Sequence, residues 1–210
     1  MQVSKWGNSL AVRLPAAVVE ALGLKEGEEI ELHVAGARSL EVARKPSRRE
    51  LLSRLKKYRG RLQRTSTLTV SKRMSVAESF FDTNVLLYLV SADPGKADIA
   101  ETTIAGGGHL SVQVLNEFVS VARRKAGLDW REIEEVLGSV RQMCRVHSLT
   151  VETHDAARGL AQKHGLSFYD ASIVASALLA GCDVLFSEDM QDGQRFGRAL
   201  QVRNPFQVGR

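Results

Sequence analysis

Residues 168–193 read FYDASIVASALLAGCDVLFSEDMQDG. An aromatic pair is followed by Asp170, which opens the very apolar helical stretch ASIVASALLA, and Gly181 then closes it. The apolar run Val184 to Phe186 has the length of a buried strand, and the acid-rich segment SEDMQDG comes directly after it. A helix feeding a short buried strand, with acids at the strand's carboxyl end, is the local pattern of an α/β sheet. Such sheets bind ligands in the crevice beyond the carboxyl ends of their strands.

Moving outward, the same alternation recurs. AESFFDTN leads into VLLYLVS, HLS into VQVLNEFVSVARRKAG, and CRVHSL into THDAARGLAQKHG. Strand-like runs alternating with amphipathic helical stretches predict a parallel sheet covered by helices. Two more acids fall at informative places. Asp82 stands where the apolar pair Phe80 and Phe81 gives way to a helix, and Glu117 interrupts the apolar face formed by Val114, Leu115 and Phe118. Asp82 and Asp170 would each also serve as an ordinary helix cap. Glu117 has to be solvated, paired or metal-bound, because burying a bare carboxylate is expensive.

Four acids, Asp82, Glu117, Asp170 and Asp189, are thus directed toward one edge of the sheet, with Glu188 and Asp192 close enough to stand in for the last. Carboxylates gathered without Lys or Arg repel one another unless cations sit between them. Oxygen-only ligation points to Mg²⁺ or Mn²⁺ rather than zinc. A pair of such ions suits in-line phosphodiester cleavage, with no protein nucleophile.

Composition excludes several other classes. The 210 residues are 44% hydrophobic and 25% charged, a balance of soluble proteins. The longest apolar runs, from Val85 and from Ile173, are too short to span a bilayer. No membrane association is expected, and the opening MQVSKWGNS has no secretory pattern, so the expected location is the cytoplasm. Cys144 and Cys182 are too few for a disulfide framework and read as buried small hydrophobes. The five histidines show no zinc spacing, and Gly106 to Gly108 read as a flexible turn.

Charge divides the chain. Residues 1–73 hold 16 Lys and Arg against 7 Asp and Glu, a net of +9, whereas residues 74–210 carry a net of −4. The basic part suits a phosphate backbone and the acidic part suits cations. Within the basic part, Ile30, Leu32 and Val34, then Leu40 and Val42, alternate as half-buried strands do, around a helix carrying Val18, Val19 and Leu22. About 45 residues bury little surface alone, so this unit is expected to dimerise. Residues 46–73 hold a basic amphipathic helix and a linker. The expected division is therefore 1–45, 46–73 and 74–210.

The order FFDTNVLLYL, SVQVLNEF, FYDASIVASALLAGCDVLFSEDMQDG and VRNPF closely resembles the PIN-domain toxins of VapC type. The resemblance implies a PIN-like α/β/α sandwich and a Mg²⁺-dependent endoribonuclease acting on RNA. Asp82, Glu117, Asp170 and Asp189 match its metal-binding acids, with Asp192 as a helper and Thr83, Asn84 and Ser187 as polar neighbours.

KWGNSLAVRLPAAVVEALGLKEGEEIEL resembles the DNA-binding half of antitoxins of MazE or AbrB type, the VapB partners of such toxins. This implies a small swapped-hairpin β domain that dimerises and presses Lys5, Asn8, Ser9 and Arg13 on operator DNA. Trp6 and Leu14 are expected in its core. RRELLSRLKKYRGRL resembles the tail by which such antitoxins grip a toxin, with Leu51, Leu52, Leu55 and Tyr58 in a groove and Arg59, Arg61 or Arg64 reaching the carboxylates. Residues 62–73 lack the aromatics and acids that usually continue that tail. Together these features imply an antitoxin and a toxin in one chain, forming a homodimer or higher homo-oligomer. The competing reading is a transcriptional autorepressor whose PIN unit is catalytically silent.

Overall fold

The computed structural model describes residues 3–36, 39–62, 79–197 and 199–207. The chain divides into two compact units, Met1–Ser47 and Arg48–Arg210. The basic helix expected within residues 46–73 thus goes with the second unit, and residues 63–73 lie outside those described.

In the first unit, β1 (Val3–Trp6) and β2 (Ser9–Val12) form an antiparallel hairpin with Trp6 opposite Ser9. The loop is only two residues long, and Gly7 supplies the positive φ (59°) that such a loop needs. Helix α1 (Ala16–Leu22) ends at Gly23, whose left-handed conformation lets Leu24 N–H reach back to Val19 O. Strands β3 (Ile30–Gly36) and β4 (Ser39–Arg44) pair antiparallel, bringing Leu32 opposite Val42 on one face. None of this unit's residues whose side chains are described is buried. Trp6 is 80% exposed and Leu14 only half-buried, contrary to their expected place in a core. The strands are too short and too few to enclose so large a ring within one copy.

The second unit is built on a six-stranded sheet. In chain order its elements are α2 (Arg48–Lys56), β5 (Ser79–Phe81), α3 (Thr83–Tyr88), α4 (Pro94–Ala105), β6 (Gly108–Ser111), α5 (Val112–Lys125), α6 (Trp130–Met143), β7 (Cys144–His147), α7 (Val151–His164), α8 (Phe168–Leu179), β8 (Val184–Phe186), β9 (Arg195–Phe196) and β10 (Leu200–Arg203). The strand order is β7-β6-β5-β8-β10-β9, parallel throughout except for β9. Phe80 and Phe81 point to opposite faces of the sheet and are both fully buried, as in a sheet covered by helices on each side. This is a PIN-like α/β fold.

From β5 the chain winds outward through β6 to β7, then returns to place β8 on the other side of β5. The switch point therefore lies between β5 and β8, where a crevice opens at the strand ends. Two helices absent from the sequence reading, α4 and α6, each start with a strong cap. Asp93 accepts from Gly95 N and Lys96 N with Pro94 in the first turn, and Asp129 forms a capping box with Glu132. Gly108 is not a flexible turn. It lies in β6 at φ +154°, where a Cβ would stand 2.6 Å from the Phe81 ring and 2.7 Å from Ser79 O.

Helix α2 lies against α4 and α6 of this unit. Leu51, Leu55 and Tyr58 are buried in the same core as the sheet, and Leu52 packs at its margin. The chain then runs beside residues 90–92, with Leu62 N–H donating to Val90 O (3.0 Å) and Ala92 N–H to Leu62 O (2.7 Å).

Candidate functional site

Asp82 follows β5 directly and caps α3, its Oδ1 accepting from Thr83 N at 2.6 Å. A carboxylate held by a helix N-terminus explains its position but not its surroundings. Its Oδ2 accepts from Ser187 Oγ at 2.5 Å and Asn84 Nδ2 at 3.0 Å. Ser187 leads the loop after β8, so the two central strands are joined side chain to side chain at the switch point. The same Asn84 amide lies 3.4 Å from Asp189 Oδ2, while Asp189 N–H donates to Ser187 Oγ at 3.2 Å. Glu117, from α5, accepts from Thr83 Oγ1 (2.8 Å) and from Gln113 Nε2 (2.6 Å). Asp170 sits in the first turn of α8, where its carboxylate accepts from the capping Ser167 Oγ at 2.8 Å.

Asp82 is 3% exposed, and burial pushes its carboxyl up to about 7. The Asp189 and Asp170 charges push the same way, against the bonds from Ser187 and Thr83. Asp82, Asp170 and Asp189 thus share one electrostatic environment, and Glu117 is tied to Asp82 through Thr83, whose N–H donates to Asp82 and whose hydroxyl donates to Glu117. Asp192 does not join them. Its Oδ1 accepts from Asn204 N at 2.8 Å, a bond that shapes the turn before Phe206. Glu188 is also engaged elsewhere, with Lys96 and Tyr88.

These residues fit a hard divalent cation. The donors are all oxygens, Asp82 is a desolvated acid with neighbouring negative charges, and Asn84 Oδ1 is buried without any hydrogen-bond partner. Among the described residues, no three His, Cys, Asp or Glu side chains converge as a ready-made ligand set.

Arg59 and Arg61, expected to reach these acids, bind others. Arg59 is 2.7 Å from Asp98 and 2.6 Å from Glu101 on α4, and Arg61 clasps Glu132 on α6 at 2.8 and 3.0 Å. The geometric reason is that α2 seats over α4 and α6, whose nearest carboxylates belong to those helices. Arg64 lies outside the described residues. Lys5, Asn8, Ser9 and Arg13 are all exposed on or beside the β1–β2 hairpin.

Sequence reasoning missed Gln113, the Lys96–Glu188 pair, and a hydrogen bond of 2.8 Å between His109 and His147 on adjacent strands. A signal existed for Lys96, which stands three and four residues before Ile99 and Ala100 on the buried stripe of α4. The histidine pair had none, since only strand register creates it.

The crevice at the β5/β8 switch point, ringed by acids and amides, defines the class. Residues 79–193 match the PIN domain, and the chain belongs to the PIN-domain family. It also carries a domain matching MazE, an antidote-toxin recognition bacterial antitoxin, at residues 3–50, so toxin-type and antitoxin-type domains share one chain. Among solved structures, it is similar to a toxin-antitoxin complex from Klebsiella pneumoniae, with TM-score 0.49 and 17% identity over 62% of this chain and 99% of that one. It is also similar to Mycobacterium tuberculosis VapC20, a sarcin-ricin loop cleaving toxin, with TM-score 0.42 and 20% identity over 53% and 89% of the two chains. No curated protein matches the chain. PIN domains are generally nucleases. No helix among the described residues is long and apolar enough to cross a membrane.

Proposed function

We propose that the second unit is a divalent-metal-dependent endoribonuclease and that the first binds operator DNA, the two forming a toxin–antitoxin fusion. The observation that carries the nuclease reading is Asp82, a nearly inaccessible carboxylate at the switch point with its proton affinity raised by burial and by neighbouring acids. A group so placed costs stability unless a cation accompanies it. Asp82, Glu117, Asp170 and Asp189 would hold Mg²⁺ or Mn²⁺, with Asn84 Oδ1 as a further oxygen. When bound, such a cation supplies Lewis-acid activation of a water and charge neutralisation at the scissile phosphate.

The chain's own residues have separable tasks. Ser187 and Asn84 fix the direction of Asp82 by donating to it, and the Ser187 bond works against burial in favour of its ionised form. Thr83 and Gln113 hold Glu117 at the crevice edge, and Ser167 holds Asp170. Burial of Phe80, Phe81 and Phe186 beneath the acids keeps the floor dry, which strengthens every charge interaction above it.

Cleavage of RNA is expected with Mg²⁺ or Mn²⁺, and not with EDTA or in Asp82→Asn. Cleavage surviving both would exclude this chemistry. For the first unit, exposed Lys5 and Arg13 suit phosphates, and Asn8 and Ser9 suit backbone or base edges. Arg13→Ala should weaken a gel shift with the chain's own promoter DNA, and unchanged affinity would remove Arg13 from the DNA face. The unburied apolar residues of this unit support assembly as a homodimer or larger homo-oligomer.

A further inference from the structure

The loop after β8 carries Ser187, Glu188 and Asp189, and each side chain is held by a different neighbour. Ser187 bonds Asp82, Asp189 lies against Asn84, and Glu188 turns the other way. Its Oε1 accepts from Lys96 Nζ at 2.6 Å, and its Oε2 accepts from the Tyr88 hydroxyl, which in turn accepts from Lys96 at 2.8 Å. The three groups close a ring of hydrogen bonds that joins α3, α4 and the loop.

This ring is enclosed. The Lys96 side chain is 3% exposed, with its ammonium 4.4 Å from the centre of the Tyr88 ring and 5.9 Å from that of Phe206. Phe206 packs edge-on against Tyr88 at 4.6 Å, and its turn is fixed by Asn204 and Asp192. A buried ammonium of this kind is costly unless its partners are fixed in place. The restraint acts in both directions, because Glu188 can leave only by stranding Lys96. Asp189, the next residue, has no comparable anchor. It is exposed, and among the described residues its side chain bonds only Asn84, at 3.4 Å.

We propose that Lys96, with Tyr88, is a positioning residue of the candidate nuclease site, fixing Glu188 so that the adjoining Asp189 carboxylate stays beside Asn84 and Asp82. This rests on the reading of Asp82 and Asp189 as cation-holding acids. Lys96 touches neither acid. Its influence travels through one side chain and one peptide unit.

The test uses the whole chain, with Mn²⁺ as the probe, followed by calorimetry, alongside RNA cleavage. Lys96→Met should weaken Mn²⁺ binding by about tenfold, the lower end of what losing a group bonded directly to a metal ligand costs, since Lys96 acts one residue further out. It should lower kcat while KM for RNA stays within about twofold. Lys96→Arg keeps the charge and should restore most of both. Tyr88→Phe removes only the hydroxyl and should weaken Mn²⁺ binding by roughly threefold. A Lys96→Met chain that melts lower yet binds Mn²⁺ as wild type does overturns the proposal, since the ion pair is then merely structural. Should Lys96→Met fail to fold, Tyr88→Phe decides, and unchanged affinity there overturns it equally. Asp82→Asn separates the two levels. Binding abolished by Asp82→Asn but untouched by the Lys96 and Tyr88 changes sinks the positioning role alone, whereas a wild type that binds no Mn²⁺ sinks the site with it.

Discussion

Asp82 is the residue at which structure and chemistry conflict most sharply, and the conflict is measurable. Its carboxyl ionises near 3.8 when unfolded and about 7 when folded. The folded state therefore holds this proton more tightly, so the associated stability is fully present below pH 4 and is lost as pH rises through 7. At 1.36 kcal/mol per pH unit the loss is at most about 4 kcal/mol. In EDTA, Asp82→Asn should melt higher than wild type at pH 8, with the advantage vanishing near pH 4. Calorimetry across that range checks it, and parallel curves would remove the buried charge from the account. Mn²⁺ should recover the wild type at pH 8 and leave the variant unmoved. The cysteines give a second residue-scale expectation. Cys144 is buried and its thiol is pushed up to about 12, and Cys182 is also buried. Ellman's reagent at pH 8 should find no thiol in the native protein and two in denaturant.

At the scale of elements, α2 tests which forces matter. Leu55 is fully buried, and Leu55→Ala should cost about 2–5 kcal/mol. Arg61→Ala removes a forked but half-exposed ion pair and should cost about 1 kcal/mol or less. Urea unfolding of the second unit checks both, and a larger loss at Arg61 would reverse the ranking. The same scale explains what could be read in advance. Acids at strand ends were legible because strand, acid and helix follow one another within a few residues, as in Phe80 to Asn84 and Val184 to Asp189. The linkage of Ser187 to Asp82 spans 105 residues and depends on β8 lying beside β5, which a linear pattern does not encode. The direction of Arg59 and Arg61 was illegible for a related reason. Basic residues on a helix find whichever acids the docking surface offers, and here α4 and α6 offer Asp98, Glu101 and Glu132. Helices α4 and α6 are different, since their caps stood in the sequence.

For the whole molecule, the two units should differ in how they respond to dilution. The first has no buried residue among those whose side chains are described, so its order is expected to depend on contacts with further copies, while the second has its own core. Heating should produce two transitions, the lower moving down as protein concentration falls and the upper staying fixed. Concentration-independent melting of both would make the first unit self-sufficient.

The seat of α2 on the second unit has a kinetic side as well. Because helix and groove belong to one polypeptide, each re-encounter is intramolecular and is governed by an effective concentration rather than by the concentration of the protein. The equality of partners is also fixed at synthesis. Cutting the backbone once between residues 62 and 79 would leave the contacts of Leu51, Leu55 and Tyr58 in place, yet it would make the helix answer to its affinity alone. In a dilute solution it would then leave at its own off-rate, baring Leu51, Leu55 and the surface they cover.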